Sequence, residues 1–274
     1  MNEHAQSRRI IIATVVAGLI ILVMLAAYIF WPPPAADRAL DATPTSESAT
    51  KFADAAVSAA GMSPADRKAT EALVKAYILE NPEIITDAIA ILQQREVTER
   101  LSAAGNEIAT PFPGAEAGNP KGDVTIVEFT DYNCGFCRAS LPDIQRLLKS
   151  DGNIRLVYRE LPILSETSRT AALWALAAAR QGKHKAFHDA LFALGRADEP
   201  NIAAAAQTAE LNITAARSFA ASPQANQEIE RNLAMMHQIG FNGTPTFIIG
   251  DQILEGALGY EALQSAIEKA RAES

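Results

Sequence analysis

The sequence predicts an α/β fold: a mixed sheet with a block of helices inserted into it. Three features carry this reading. Val124 to Thr130 (VTIVEFT) is a near-continuous apolar run, the mark of a strand buried on both faces. A turn, a helix from Cys134 to about Ser150 and a second strand, Ile154 to Tyr158 (IRLVY), follow it. A strand–helix–strand unit of this kind pairs its strands in parallel through a crossover. Near the C-terminus, Thr246–Ile249 and Gln252–Leu254 flank Gly250-Asp251, a two-residue hairpin signal that adds antiparallel strands.

The chain before this core divides by composition. Ile10 to Phe30 contains no charged residue and, at ~1.5 Å per residue, spans about 30 Å, the hydrocarbon thickness of a bilayer. Arg8 and Arg9 precede the run and no basic cluster follows it closely, so residues 1–9 are expected in the cytoplasm and everything after Trp31 outside it. The run is longer than the apolar region of a signal peptide and leads straight into Trp31-Pro32-Pro33-Pro34, so residues 10–31 read as an uncleaved anchor. Residues 32–62 form a linker, rich in Pro, Ala, Ser and Thr up to about residue 50.

Residues 63–105 read as a helical segment. Ser63-Pro64 is an N-cap followed by Pro at the first helical position, and Asn81-Pro82-Glu83 opens a longer helix. In that helix Ile84, Ile85, Ala88, Ile91 and Leu92 form one apolar stripe, with Gly105 as the C-cap. The stripe packs on the following domain or joins copies of the chain, and the sequence leaves both open. From 106 to 274 runs the main domain. Gly114–Gly122 reads as a loop, and Glu166–Gly240 as Ala-rich helices broken near Gly182, at 195–201 and at Ser222-Pro223. Tyr260–Arg271 reads as a closing helix.

Composition narrows the function. Of the 274 residues, 49% are hydrophobic and 20% charged, which excludes wholesale disorder. Lys and Arg number 24 against 32 Asp and Glu, a net charge of -8 that argues against a nucleic-acid partner.

The two cysteines, Cys134 and Cys137, form Cys134-Gly135-Phe136-Cys137. A structural staple closing so small a loop removes little chain entropy. Zinc wants four ligands and no second Cys pair exists, although two thiolates suffice for Cu(I). Position favours a redox dithiol. Cys134 follows a buried strand and begins a helix, where free backbone N–H groups and the dipole stabilise a thiolate. Cys137, one turn further in, is expected to be the buried resolving thiol. No cofactor or metal is expected.

GNPKGDVTIVEFTDYNCGFCRASLPDI resembles the active-site segment of the DsbA family of thioredoxin-fold thiol–disulfide oxidoreductases. RELPILSETSRTAALWALAAARQGKHKAFHDALF is similar to the start of that family's inserted helical subdomain, expected here at about 166–240, and GTPTFIIGDQILEGALGYEAL to its cis-proline segment and last hairpin. AYILENPEIITDAIAILQQRE resembles the N-terminal oligomerisation segment of the copper-sensitivity suppressor and Com1-like branch. The resemblance implies a cis Thr244-Pro245 bond facing the dithiol, with Thr244, Pro245 and Phe136 meeting an extended substrate segment. It also implies an acidic residue at Glu128, which is either a carboxylate at a strand edge in water or, if buried, a relay for the Cys137 proton. The partners implied are cysteine-containing exported proteins, a membrane redox protein that resets the dithiol, and further copies of the chain joined through residues 64–104. The location implied is the bacterial inner membrane, single-pass, with the catalytic domain periplasmic.

Gly135-Phe136 contains neither the His of strongly oxidising relatives nor the Pro of reducing ones, so oxidase, reductase and isomerase roles stay open. A Cu(I)-binding envelope protein and a non-catalytic tethered scaffold are the rival readings. His184 and His188 lack the Glu of a zinc motif and read as surface histidines; Asn212-Ile213-Thr214 reads as an incidental glycosylation pattern. Trp174 and Phe187 read as core.

Overall fold

The computed structural model describes residues 46–273, so the apolar run at 10–31 lies outside the described residues. No helix among the described residues is long and apolar enough to cross a membrane. The chain forms two compact units that meet in sequence between Pro82 and Glu83.

The described part of the first unit holds α1 (Ser46–Ala59) and α2 (Pro64–Glu80). Helix α1 corrects the expected linker at 32–62, whose second half is rich in helix-favouring alanine. Ser63 caps α2 reciprocally with Asp66: the Ser63 hydroxyl accepts from Asp66 N at 3.2 Å, and Ser63 N donates to Asp66 Oδ2 at 3.0 Å. Arg67 ties the two helices together by an ion pair to Asp54. No residue of α2 is buried, and Leu73, Val74, Tyr77 and Leu79 stand exposed.

The second unit begins with α3 (Glu83–Ala104). Chain contacts thus group α3 with the residues after it, rather than with α2. Only its last turns pack inward. Val97 and Leu101 join a core of Ile108, Val127, Phe129, Val157, Ile239 and Phe241. Ile84, Ile85, Ile91 and Leu92 are exposed. The stripe therefore does not pack on the domain that follows. Gly105 ends the helix at φ +58°, a left-handed turn that suits glycine.

The sheet has five strands, β1 (Glu116–Gly118), β2 (Val124–Thr130), β3 (Ile154–Glu160), β4 (Thr246–Ile249) and β5 (Gln252–Glu255), in the order β1-β3-β2-β4-β5. β2 and β3 are parallel, with Glu128 opposite Tyr158 and Thr130 opposite Glu160; β4 runs antiparallel to β2 and pairs with β5 across Gly250-Asp251. The expected loop at 114–122 contains β1, which pairs antiparallel with β3. Three residues, Glu116-Ala117-Gly118, are too few to show any periodicity. Gly118 there, at φ +75°, lies so close to β3 that a Cβ would come within 2.4 Å of the Ile154 carbonyl oxygen.

The two sheet faces are covered separately, as strand alternation requires. Ile126, Leu156, Phe247 and Ile249 pack with Ile144 and Leu147 of α4 (Gly135–Ser150) and with Leu263 and Ile267 of α10 (Tyr260–Ala272). Between β3 and β4 the chain forms α5 (Glu166–Ala179), α6 (His184–Leu194), α7 (Glu199–Thr208), α8 (Ile213–Ala220) and α9 (Pro223–Ile239). Alanines of α5, α7 and α8 let these helices approach closely around Phe187, Leu191, Phe192 and Ile202, and this core reaches Tyr132, Cys134 and Cys137. Trp174 is half-buried against it. An additional break falls at 209–212, where Asn212 caps α8 by accepting from Ala215 N at 3.0 Å.

Buried Arg159 holds this unit together. Its guanidinium donates to Glu228 Oε1 at 3.0 Å, Asn232 Oδ1 at 3.1 Å, and the carbonyls of Ile108 and Thr110 at 3.1 and 2.6 Å. β3, α9 and the chain leaving α3 thereby converge on one cation.

Candidate active site

β2 delivers the chain to a turn whose side chains fix the helix that follows. Asp131 accepts from its own turn at Asn133 N (2.8 Å) and from Ile163 N and Leu164 N (2.9 and 3.0 Å) beyond β3. Asn133 donates to Ser165, Thr167 and Ser168 near the start of α5 and accepts from Ala197 N at 3.0 Å. These residues brace the site between sheet and helical insertion, whereas in the sequence they read only as a turn. The available signal was Asp and Asn directly before a helix start, which form side-chain turns of this kind.

Cys134 is the N-cap of α4, in extended conformation at φ -78°, ψ 116°, and its Sγ accepts from Cys137 N at 3.2 Å. The two thiols are held in contrasting states. The Cys134 pKa falls to about 6, chiefly through a hydrogen bond from the Cys137 thiol and further through Thr244 and the backbone of Cys137 and Phe136, against the opposing effect of burial. Burial pushes the Cys137 thiol strongly up, and its hydrogen bond to the Cys134 sulfur adds to this. Both cysteines are free thiols. Phe136, between them, is 68% exposed.

The loop before β4 closes over the dithiol. The Thr244-Pro245 bond is cis, and the Cys134 thiol donates to the Thr244 carbonyl at 3.1 Å. Pro245 O accepts from Gly256 N at 2.8 Å, which ties the loop to the end of β5. Glu128, in the middle of β2, is 3% exposed. Burial raises its pKa to about 8, with the like charges of Glu160, Asp189 and Cys134 adding to the effect. It is not a solvated edge carboxylate.

His184 and His188 are not surface histidines: both are buried. α6 turns them toward the sheet, where the Glu160 carboxylate receives His184 Nε2 at 2.8 Å and Tyr158 lies against both rings. The sequence reading missed this because a partner 24 positions away on another element leaves no local pattern.

A low-pKa sulfur at a helix start, a high-pKa sulfur behind it and a carbonyl facing the first make a site for thiol–disulfide exchange. This fold with this dithiol defines the class of thiol–disulfide oxidoreductases. Residues 113–269 match the family model described as Thioredoxin, and the chain belongs to that family. Residues 66–97 match the model described as Copper resistance protein ScsC N-terminal domain, which supports the copper-sensitivity suppressor branch.

Solved structures agree on the fold. A thioredoxin-like oxidoreductase from Silicibacter pomeroyi DSS-3 is 41% identical, with TM-score 0.58 over 61% of this chain and 98% of that one. The thiol–disulfide exchange protein alpha-DsbA2 of Wolbachia pipientis is 26% identical, with TM-score 0.60 over 65% and 97%. A linker-deletion mutant of Proteus mirabilis ScsC is 24% identical, with TM-score 0.61 over 78% and 98%, a likeness of fold. The chain spans about a quarter of the length of the curated relatives it matches, described as Na(+)/H(+) antiporters NhaA and about 30% identical.

Proposed function

We propose that this protein is a membrane-anchored thiol–disulfide oxidoreductase that acts on cysteines of exported proteins as an oxidase or isomerase. The observation that supports it most is the opposed tuning of the two sulfurs, Cys134 down to about 6 and Cys137 strongly up. Near neutral pH the outer sulfur is then a thiolate, both attacking group and leaving group, while the inner one holds its proton.

In the oxidising direction a substrate thiolate attacks Cys134 Sγ of the enzyme disulfide. The Cys134–Cys137 bond breaks and Cys137 takes up a proton, for which neutral Glu128 is the buried acid. A second substrate thiolate then attacks the substrate sulfur of the mixed disulfide and expels Cys134 as thiolate. The substrate gains a disulfide and the enzyme is left as a dithiol. In isomerisation Cys134 thiolate opens a wrong disulfide and is expelled again by another substrate thiol, with no net electron transfer.

Substrate approaches between exposed Phe136 and the Thr244-Pro245 loop, a surface that suits an extended, apolar segment around a cysteine. The run at 10–31 is the anchor in this reading and places the catalytic domain in the periplasm, with a membrane redox partner renewing the disulfide. The exposed apolar residues of α2 and α3 join copies of the chain. The redox state of Cys134 and Cys137 in intact cells tests the role: a Cys134–Cys137 disulfide marks an oxidase, reduced thiols a reductase or isomerase. Failure of purified protein to exchange disulfides with a peptide dithiol or a scrambled substrate overturns the reading.

A further inference from the structure

Beneath the dithiol, ionisable groups are buried together on one face of the sheet. β2 and β3 are parallel with Glu128 opposite Tyr158 and Thr130 opposite Glu160, so the period of two sets both carboxylates on that face. Glu160 is fully buried and His184 is 1% exposed, with His184 Nε2 2.8 Å from Glu160 Oε1. Tyr132, two residues before Cys134, donates its hydroxyl to the same oxygen at 3.2 Å. The Tyr158 ring lies 4.6 Å from that of His184 and 4.7 Å from that of His188. His188 in turn meets Asp189, whose carboxylate pairs with Lys185 at the surface.

Two carboxylates in a dry core cannot both stay ionised without compensation. Glu160 has an imidazole and a phenol as partners. Glu128 is surrounded instead by charge of its own sign, from Glu160, Asp189 and Cys134. Burial raises the Glu160 pKa and nearby Asp131 adds to this, while the hydrogen bonds to His184 and then Tyr132 oppose it. How much negative charge Glu160 retains, and with it how tightly Glu128 holds its proton, therefore depends on those two partners. We propose that Glu160, held by His184 and Tyr132, is a positioning residue for the dithiol chemistry that acts through Glu128. The inference rests on the reading of Glu128 as proton carrier for Cys137 and extends it to a second layer. In the reducing direction the Cys137 thiol gives its proton to ionised Glu128 as its sulfur attacks the mixed disulfide at Cys134. The Cys134–substrate bond breaks and the substrate sulfur leaves.

The test uses purified full-length protein carrying a small-thiol mixed disulfide at Cys134, and follows the rate of thiol release against pH. Glu160→Gln keeps the shape and removes the charge, so the midpoint of the rising limb should move down by about one pH unit. Glu128→Gln should abolish the limb, and adding Glu160→Gln to it should change nothing further. If Glu128→Gln leaves the profile unaltered, the proton-carrier reading falls and this inference with it. If Glu128→Gln abolishes the limb but Glu160→Gln leaves it in place, this inference alone falls. Should Glu160→Gln fail to fold, carbon-13 titration of the wild-type carboxyls decides. The Glu160 resonance must move again as Glu128 ionises, and independent titration of the two overturns the proposal.

Discussion

The Cys134 sulfur lies 3.1 Å from the Thr244 carbonyl oxygen, so residues 110 positions apart form one surface. The Cys137 thiol first, and the backbone N–H groups of the helix start after it, lower the pKa of this sulfur beside the cis-proline loop.

The asymmetry of the dithiol assigns the trapped intermediate. Cys137→Ser should accumulate mixed disulfides between Cys134 and substrate, because the resolving thiol is gone. Cys134→Ser should accumulate almost none, since its remaining thiol is buried and protonated. Non-reducing gels with mass spectrometry of the adducts read the difference, and equal trapping by both variants contradicts the assigned order.

Because the Cys137 thiol contributes most to lowering the Cys134 pKa, replacing it sorts the causes. Thiolate absorbance at 240 nm should rise with a midpoint near 6 in the wild type. Cys137→Ser keeps a hydrogen-bond donor and should stay near that value, while Cys137→Ala should move up by about one unit or more. Stability of the reduced protein follows from linkage. The folded pKa is depressed, so this group's contribution is present in full above the unfolded value and lost as pH falls through about 6.

Glu128 has the opposite sign. Its pKa is raised from 4.5 to about 8, so the native state holds a proton that the unfolded chain releases, and stability declines as pH rises through that window. Glu128→Gln should remove the slope and make the protein more stable than wild type at pH 8, by on the order of 4 kcal/mol. Urea denaturation at pH 5 and pH 8 checks this; a variant destabilised equally at both values contradicts it.

The apolar side chains of α3 bear on assembly. A chain beginning at Ser63 should sediment as an oligomer, and substituting exposed Ile85, Ile89 and Leu92 with Asp should leave it monomeric and folded. Starting at Ile108 is a poorer test, because it removes Val97 and Leu101 from the core they share with Ile108 and Ile239. A monomer with the wild-type helices present contradicts the assembly.

Glu228→Ala should cost about 3–5 kcal/mol, because it strips buried Arg159 of its carboxylate partner. Thermal denaturation reads this loss, and a change below about 1 kcal/mol would mean the remaining carbonyl acceptors suffice.

Local pattern was enough for much of this protein. The apolar run 124–130, the hairpin around Gly250-Asp251 and the caps at Ser63 and Ser222 are encoded within a few residues, where backbone propensity and burial act directly. The CxxC placed after a strand named its own chemistry, because a helix start stabilises a thiolate wherever the helix sits. Tertiary structure decided what depends on distant partners. β1 exists only because β3 offers an edge, and α3 belongs with the second unit because Leu101 meets Ile108 and Ile239. In the chain Glu160 and His184 read as ordinary polar residues, and Glu128 reads as either a solvated carboxylate or a buried relay. Packing removes them from water, and only that removal makes their charges interact.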